Sequence, residues 1–268
     1  VETKADINLY QLCDDAITKR KLSDPAEREL IVEGLRKLLE KYRSPNQKIG
    51  LITYKKIEGI EDFDAVVAKE LDISLYGHFG ACRGVNRFDG VDCLIILGRY
   101  CLDLQALRNY GYALLDRAPN TKQEYVDSPV RMKDCSVRLI NSRVHVDREY
   151  RAIYEHFSQS ETLQAIGRGR PVHGRPKDIY YLSNEYIGSD TEITGFLHYK
   201  DLFEAPLIDP DLLAAVKEKG FVGNLQTPLM EAFSLSKKVL SKNRSALEQR
   251  LRDEGFELMM ATIKTRYR

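Results

Sequence analysis

The sequence predicts an α/β protein in which helices flank a parallel β-sheet, with a helical segment before the sheet and a small domain after it. Short apolar runs alternate with stretches whose apolar residues recur every three or four positions. This alternation is typical of parallel strands connected by helices. Residues 92–97 (DCLIIL) are almost continuously apolar, as expected of a strand covered on both faces.

The chain begins with a predicted helical segment, residues 1–46. Apolar residues are spaced for one helical face in residues 8–22 and again in residues 25–43. Ser23, Asp24 and Pro25 supply an N-cap followed by a proline, so we expect the longer helix to begin at residue 25.

Residues 47–187 form the predicted sheet domain. Its strands are predicted at residues 49–54, 74–79, 92–97 and 179–182, and its helices at residues 61–71, 103–115, 147–158 and 159–168. Residues 118–146 interrupt this pattern with scattered valines and isoleucines among polar residues. We predict a β-hairpin insertion there.

The C-terminal part is predicted to be a linker, residues 188–209, and a winged-helix-like domain, residues 210–268. Three short helical patterns followed by β-like sequence are the order found in winged helices. Residues 236–268 hold nine Lys or Arg and four Asp or Glu. We expect Lys237, Lys238 and Arg244 to contact nucleic-acid phosphates. The alternative is a solvated helix face with no ligand.

The composition narrows the functional classes. The net charge is +1, so any contact with a polyanion has to come from local patches. No run approaches the roughly 20 apolar residues that span a bilayer, and we expect a cytoplasmic location, the host cytoplasm in the case of a phage protein. The five cysteines contain no CxxC pair, and the histidines lack HxxxH spacing. We therefore expect buried free thiols and no metal site.

The first motif that could carry chemistry lies in residues 80–99 (GACRGVNRFDGVDCLIILGR). Arg83 and Gly84 lie in a loop about ten residues before the apolar run, and Asn86 adds a hydrogen-bonding group beside them. Glycine allows tight backbone geometry at such a position. The alternative is an ordinary loop with a surface arginine.

The second motif is residues 164–170 (QAIGRGR), at the end of a predicted helix. Arg168 and Arg170 carry permanently charged, planar donor groups, which suit a phosphoryl group in transfer. The alternative is a solvated basic turn, because a helix C-terminus favours positive charge.

The order and spacing of the strand IGLITYK, the RGxN loop and QAIGRGR resemble the second RecA-like domain of superfamily 2 helicases. The resemblance covers residues 47–185, and the HFGACRGVNRF stretch is most similar to helicases carried by phages and plasmids. It implies that Thr53, Tyr54 and Lys55 face the nucleic-acid track. His78, just before the RG loop, is a further candidate for a phosphate contact.

By the same resemblance, two further groups of residues serve the nucleotide. Arg83, Gly84 and Asn86 would link the nucleic-acid track to the nucleotide. Gln164, Gly167, Arg168 and Arg170 would meet its phosphates. Position 86 is Asn where the family usually has Asp. Pro171 stands where the family has its last arginine, so Arg170 is our substitute and Arg175 is an alternative.

No glycine in the sequence is followed by lysine, so the chain has no Walker A loop, and no apolar strand ends in Asp-Glu. We expect both features, with ATP and Mg²⁺, in a RecA-like domain upstream of Val1. The chain would then be part of an ATP-dependent DNA helicase in mobile-element replication, unable to hydrolyse ATP alone. Its arginines would point from the carboxyl ends of the strands toward the triphosphate. The alternative is a non-enzymatic winged-helix DNA-binding module on an α/β scaffold.

Overall fold

The computed structural model describes residues 7–203 except 45, 82–86, 89, 119, 121, 170–176 and 189. The strands are Ile7–Leu12 (β1), Ile49–Thr53 (β2), Leu75–His78 (β3), Cys93–Leu97 (β4), Gln123–Met132 (β5), Val137–His145 (β6), Lys177–Leu182 (β7), Glu192–Ile193 (β8) and Gly195–Leu197 (β9). The α-helices are Lys19–Ser23 (α1), Pro25–Leu39 (α2), Phe63–Glu70 (α3), Leu104–Leu115 (α4), Arg148–Arg168 (α5) and Tyr199–Phe203 (α6), and a 3₁₀ turn, Glu40–Tyr42, follows α2.

A six-stranded parallel sheet in the order β3-β2-β4-β7-β1-β9 forms the centre of the described structure. All five residues of β4 are buried, which explains why its sequence is continuously apolar. The prediction of an α/β protein with a parallel sheet flanked by helices is confirmed.

Two apolar layers cover the sheet. On one face, α2, α3 and α6 pack through side chains such as Leu35, Val67 and Phe203. On the other face, the end of α5 and the β5–β6 hairpin pack through Ala165 and Ile140. Burying each large aliphatic side chain contributes about 1.5–3 kcal/mol, so these two layers hold the strands in place.

The prediction of helix for residues 8–22 is wrong at its start, because residues 7–12 form strand β1. This strand lies between β7 and β9, and its side chains are buried on both faces: Leu9 belongs to one apolar layer and Leu12 to the other. Two buried leucines three residues apart match a helical period as well. The boundary expected at residue 47 therefore does not separate a helical segment from the sheet.

Helix α2 begins where the capping residues predict. The Asp24 carboxylate accepts hydrogen bonds from the backbone N–H groups of Ala26 and Glu27, at 2.9 and 3.1 Å, and Pro25 is the first helical residue. These bonds satisfy donors that have no partner inside the helix. The predicted N-terminus at residue 25 is confirmed.

Helix α5 is continuous, so the prediction of two helices over residues 147–168 is wrong. Ser158 and Ser160, on either side of the predicted break, lie inside the helix. The Ser158 hydroxyl donates to the Tyr100 backbone oxygen at 2.7 Å, outside the helix. A serine with a tertiary partner does not compete with the helical backbone for its hydrogen bonds.

The predicted hairpin is confirmed, since β5 and β6 pair antiparallel over residues 123–131 and 137–145. Strand β8 adds to β5 in parallel, giving a second sheet of order β6-β5-β8. Between β8 and β9, the Thr194 N–H donates to the Leu9 oxygen at 2.7 Å, and its hydroxyl accepts from the Leu9 N–H at 3.0 Å. Residues 192–197 therefore join the two sheets.

The predicted linker, residues 188–209, is not a linker as far as residue 203. It contains β8, β9 and α6, and Phe203 is buried in the main apolar layer. The chain divides after Phe203 into two units, and every described residue lies in the first, Val1–Phe203. The predicted winged-helix-like domain, residues 210–268, lies outside the described residues. Over the described part of the chain, the helices are too short or too polar to cross a membrane.

The cysteine prediction holds in part. Cys13, Cys93, Cys101 and Cys135 are free thiols. Cys93 is buried in β4, whereas Cys101 and Cys135 are exposed, so the expectation of burial is wrong for those two. Cys82 lies outside the described residues.

The contact between α2 and α6 leads to a prediction about the free energy of unfolding. A methyl group at Gly34 would meet the Leu202 backbone oxygen and the Phe203 ring, whereas one at Gly167 would meet nothing within 4 Å. We expect Gly34→Ala to destabilise the protein by about 1–3 kcal/mol, because backbone and ring have to shift. The matched Gly167→Ala variant should gain up to about 1 kcal/mol from helix propensity. Urea unfolding measures both, and a Gly34→Ala variant as stable as the wild type would contradict this packing.

Candidate functional site

The carboxyl ends of β1, β2, β4 and β7 meet at one edge of the sheet, since all of these strands are parallel. In open α/β sheets, ligands bind in the crevice outside this edge. We therefore expect ligand-binding residues in the loops that follow these four strands.

The predicted nucleic-acid residues after β2 have different environments. Thr53 is fully buried, and its hydroxyl donates to the Leu97 backbone oxygen at 3.0 Å. Tyr54 is buried too, and its hydroxyl donates to the Ile17 oxygen at 3.2 Å. Only Lys55 is exposed. Of these three side chains, Lys55 is the one that can reach a strand without rearrangement of the sheet.

His78 is the last residue of β3 and is partly buried. Its Nδ1 lies 2.9 Å from the carboxylate of Asp64, at the start of α3. A carboxylate at this distance orients the imidazole ring. The structure thus places His78 at the carboxyl edge of the sheet, with one ring nitrogen engaged.

The loop that carries the RG motif begins beside α5. Arg83, Gly84 and Asn86 lie outside the described residues. Gly80, at the start of the loop, has a φ of 82° and donates its backbone N–H to the Glu161 carboxylate at 3.1 Å. Glu161 is a buried residue of α5, three positions before Gln164. The helix that carries the second motif therefore holds the entrance of the loop that carries the first.

The end of α5 carries Gln164, Gly167 and Arg168, while Arg170 and Arg175 lie outside the described residues. Gln164 and Arg168 are partly buried. The Nε atom of Arg168 is buried and has no hydrogen-bond partner in the described part of the chain. Buried polar atoms nearly always have a partner, so we expect the partner of this donor outside the described residues.

The expected position of the end of α5, at the carboxyl ends of the strands, is wrong. Gly169 packs against Ile179, which lies in the first half of β7. The last turn of α5 therefore lies over the amino-terminal half of that strand, and not at the carboxyl edge where we expected the arginines. The reason is that α5 crosses the sheet antiparallel to β7: Ser158 lies near the carboxyl edge, so the helix end, ten residues later, lies toward the other edge.

The carboxyl edge itself is occupied by a buried polar network around Glu185, which the sequence did not reveal. The Glu185 carboxylate accepts a hydrogen bond from the Tyr181 hydroxyl at 2.8 Å, and it shares the Ser158 hydroxyl proton with the Tyr100 backbone oxygen. The side-chain nitrogen of Gln11 donates to the backbone oxygens of Ser183 and Glu185, at 3.0 and 2.7 Å. The network thus ties β1, β7 and α5 together.

Arg99, which follows β4, acts electrostatically on this network. Burial raises the pKa of the Glu185 carboxyl, and Arg99, Ser158 and Tyr181 oppose that rise. Burial alone would lower the pKa of the Arg99 guanidinium, but Tyr154, Cys101 and Glu185 raise it. Each group therefore stabilises the charged form of the other in a poorly solvated place.

A recess beside Glu185 opens toward the hairpin and has a volume of about 10 Å³, lined among others by His145, Tyr154 and Glu185. This volume holds about one water molecule. The recess is too small for a nucleotide, so we assign the network a structural role in this domain.

Comparisons with protein-family models, with curated proteins and with solved structures found no match to this chain. A functional assignment therefore rests on the order of the motifs along the chain and on the geometry described above.

The Glu185 network makes a stability prediction. Glu185→Ala should cost about 1–3 kcal/mol, because it leaves the buried Tyr181 hydroxyl without an acceptor and removes an acidic group that opposes the desolvation of Arg99. Glu185→Gln should cost less, since its amide oxygen can still accept the bond from Tyr181. Urea unfolding measures both, with Glu124→Ala in the exposed part of β5 as a control expected within about 0.5 kcal/mol of the wild type. Equal stability of Glu185→Ala and the control would refute the role of the network.

Proposed function

We propose that the sheet domain is a RecA-like motor domain of a DNA helicase or translocase. It senses the γ-phosphate of ATP held by a second domain and passes that state to a DNA strand. The observation that carries the proposal is the hydrogen bond between Glu161 and Gly80. It joins the helix that ends in QAIGR to Gly80, three residues before Arg83, and so ties this helix to the start of the loop that contains RG.

Arg168 is the proposed phosphate sensor. Its Nε has no partner among the described residues, and we assign this donor to an oxygen of the triphosphate. A guanidinium stabilises the negative charge that develops as the γ-phosphate leaves, and it does so without a change in its own protonation. Gln164 and Arg170 complete the proposed phosphate contacts. Because the end of α5 lies over the amino-terminal half of β7, the nucleotide-bearing domain would approach from that side of the sheet.

Helix α5 is suited to transmit the nucleotide state because it is anchored along its length. Ser158 attaches it to Glu185 at the carboxyl ends of the strands, and Glu161 attaches it to the RG loop. A shift at Arg168 therefore moves the loop and the strand ends with the helix. A rigid element with two arrangements is the physical requirement for such coupling.

The proposed DNA track runs along the carboxyl edge, where Lys55 follows β2 and His78 ends β3. Arg83, Gly84 and Asn86 of the RG loop would link this track to the nucleotide. ATP and Mg²⁺ would be held mainly by the second domain, since this chain has no Walker A loop. The basic residues Lys237, Lys238, Arg244 and Arg175 would add sequence-independent phosphate contacts, with residues 210–268 as a winged-helix-like grip.

The test of this function joins the chain to a RecA-like domain that carries a Walker A loop, preferably from its own polypeptide, and measures DNA-stimulated ATP hydrolysis. Removal of an arginine finger lowers turnover by about 10³-fold or more, and we expect this of Arg168→Ala. Arg168→Lys should remain defective, because a point charge does not replace the planar donor fork.

The matched control is Arg108→Ala, an exposed arginine of α4, which should retain wild-type turnover. Full turnover of Arg168→Ala would overturn the sensor role. Salt-dependent DNA binding that is the same with and without ATP, together with no ATP hydrolysis by the joined protein, would instead support the non-enzymatic DNA-binding module.

A second prediction concerns Glu161, a positioning residue. Glu161→Ala removes the acceptor of the Gly80 N–H, so we expect the stimulation of ATPase activity by DNA to fall several-fold and half-maximal stimulation to need more DNA. Glu161→Gln should restore part of the stimulation, because its amide oxygen can still accept that bond. Glu155→Ala, which breaks a partly buried pair with Arg151 on the same helix and leaves the Gly80 contact in place, is the control. Unaltered DNA stimulation in Glu161→Ala would show that this contact does not couple the motifs.

A further inference from the structure

Three side chains that differ in chemistry meet beyond the carboxyl ends of β1 and β9. Cys13 and Asp14 follow β1 directly, and His198 follows β9 directly. The two strands are parallel neighbours, with Leu12 opposite Leu197. Their first residues beyond the sheet are therefore brought side by side, although Cys13 and His198 are 185 positions apart in the sequence.

The ligand atoms of these side chains lie within 4.8 Å of one another. The Cys13 sulfur is 3.7 Å from Nδ1 and 3.9 Å from Nε2 of His198, and Nδ1 is 3.4 Å from the Asp14 carboxylate. Zinc binds Cys sulfur at about 2.3 Å, and His nitrogen or carboxylate oxygen at about 2.0–2.2 Å, in a tetrahedron. Ligand atoms at the corners of such a tetrahedron are separated by about 3.3–3.6 Å. The separations from Nδ1 are close to these values.

We propose that Cys13, Asp14 and His198 form a Zn²⁺ site with an open fourth position. Thiolate and imidazole ligands together favour zinc over the hard cations Mg²⁺ and Ca²⁺, which prefer oxygen ligands. Three protein ligands leave one corner of the tetrahedron for water. Asp14 is exposed while Cys13 and His198 are partly buried, so the site opens to solvent on the carboxylate side.

The backbone around the site is already fixed, which lowers the cost of gathering the ligands. The Cys13 N–H donates to the Leu197 oxygen at 3.0 Å, so the two ligand-bearing turns are held together. One Asp14 oxygen accepts from the Tyr199 N–H at 2.9 Å, while the other faces His198. Such outer contacts orient metal ligands and commonly contribute a factor of 10–100 in affinity.

Zinc binding displaces the proton of the Cys13 thiol and needs an unprotonated nitrogen on the His198 ring, and the displaced protons pass to solvent. The bound ion then replaces hydrogen bonds by coordination to the same three side chains. Its structural effect is to fasten β9 and the start of α6 to β1. Metal binding at this site is therefore expected to stabilise the folded protein.

The experiment titrates the full chain, freed of metal by a chelator, with Zn²⁺ and follows binding by calorimetry and thermal unfolding. Co²⁺ is a second probe, because tetrahedral coordination by a thiolate gives a sulfur-to-cobalt charge-transfer band. We expect one ion per chain, a rise in Tm with Zn²⁺, and this band with Co²⁺. Cys13→Ser should abolish the band and weaken Zn²⁺ binding by about 100-fold or more, since loss of a ligand exceeds loss of an outer contact.

Two further variants complete the ligand set. His198→Gln should weaken binding similarly, and Asp14→Asn should weaken it while its amide oxygen still accepts the Tyr199 N–H, so the fold is kept. Cys135→Ser is the matched control, an exposed thiol on the hairpin turn. Circular dichroism establishes that each variant is folded without metal.

Three results would overturn the proposal. The first is a folded wild-type chain that gains no thermal stability from Zn²⁺. The second is a Co²⁺ spectrum that lacks the thiolate band. The third is binding that Cys135→Ser weakens and Cys13→Ser does not, which would place the metal on another cysteine.

Discussion

The pairing of β1 with β7 is the constraint on which the described structure depends. Strand β1 comes from the beginning of the described chain, yet it lies between β7 and β9, which come from its end. Without β1, the main sheet would end at β7, and β9 would have no partner in it. Gln11 of β1 also supplies the donor that fixes the backbone of Ser183 and Glu185. The strand order of the main sheet and the polar network at its edge therefore both depend on β1.

Much of the sheet domain could be predicted from local patterns, and the errors have physical reasons. The strand β4, the cap at Asp24 and the β5–β6 hairpin follow from short-range signals: an apolar run, a capping side chain and β-rich segments around a turn. Strand β1 could not be recognised because it is buried on both faces, which removes the alternation that marks a strand. Short strands such as β8 owe their existence to pairing with distant segments, so the sequence around them contains no signal.

The candidate site could likewise be predicted only where its residues are contiguous in the sequence. The two motifs could be found because their residues are contiguous, and the structure brings the helix of one against the loop of the other. The Glu185 network could not be predicted from the sequence because its members come from four separate segments. A single glutamate after a strand is not a distinctive sequence signal. The group of Cys13, Asp14 and His198 could not be predicted for the same reason. Parallel pairing, and not spacing along the chain, makes these residues neighbours.

The connection through Thr194 has a consequence for the hairpin. In sequence the hairpin is an insertion, and insertions are usually thought of as dispensable appendages. Here β5 is the partner of β8, and two residues later the chain enters the main sheet as β9. Excision of the hairpin would leave Ile193, now fully buried, facing water and would free the segment that holds the sheet's outermost strand. An ancestor without this hairpin would have needed a different way to close the sheet on that side.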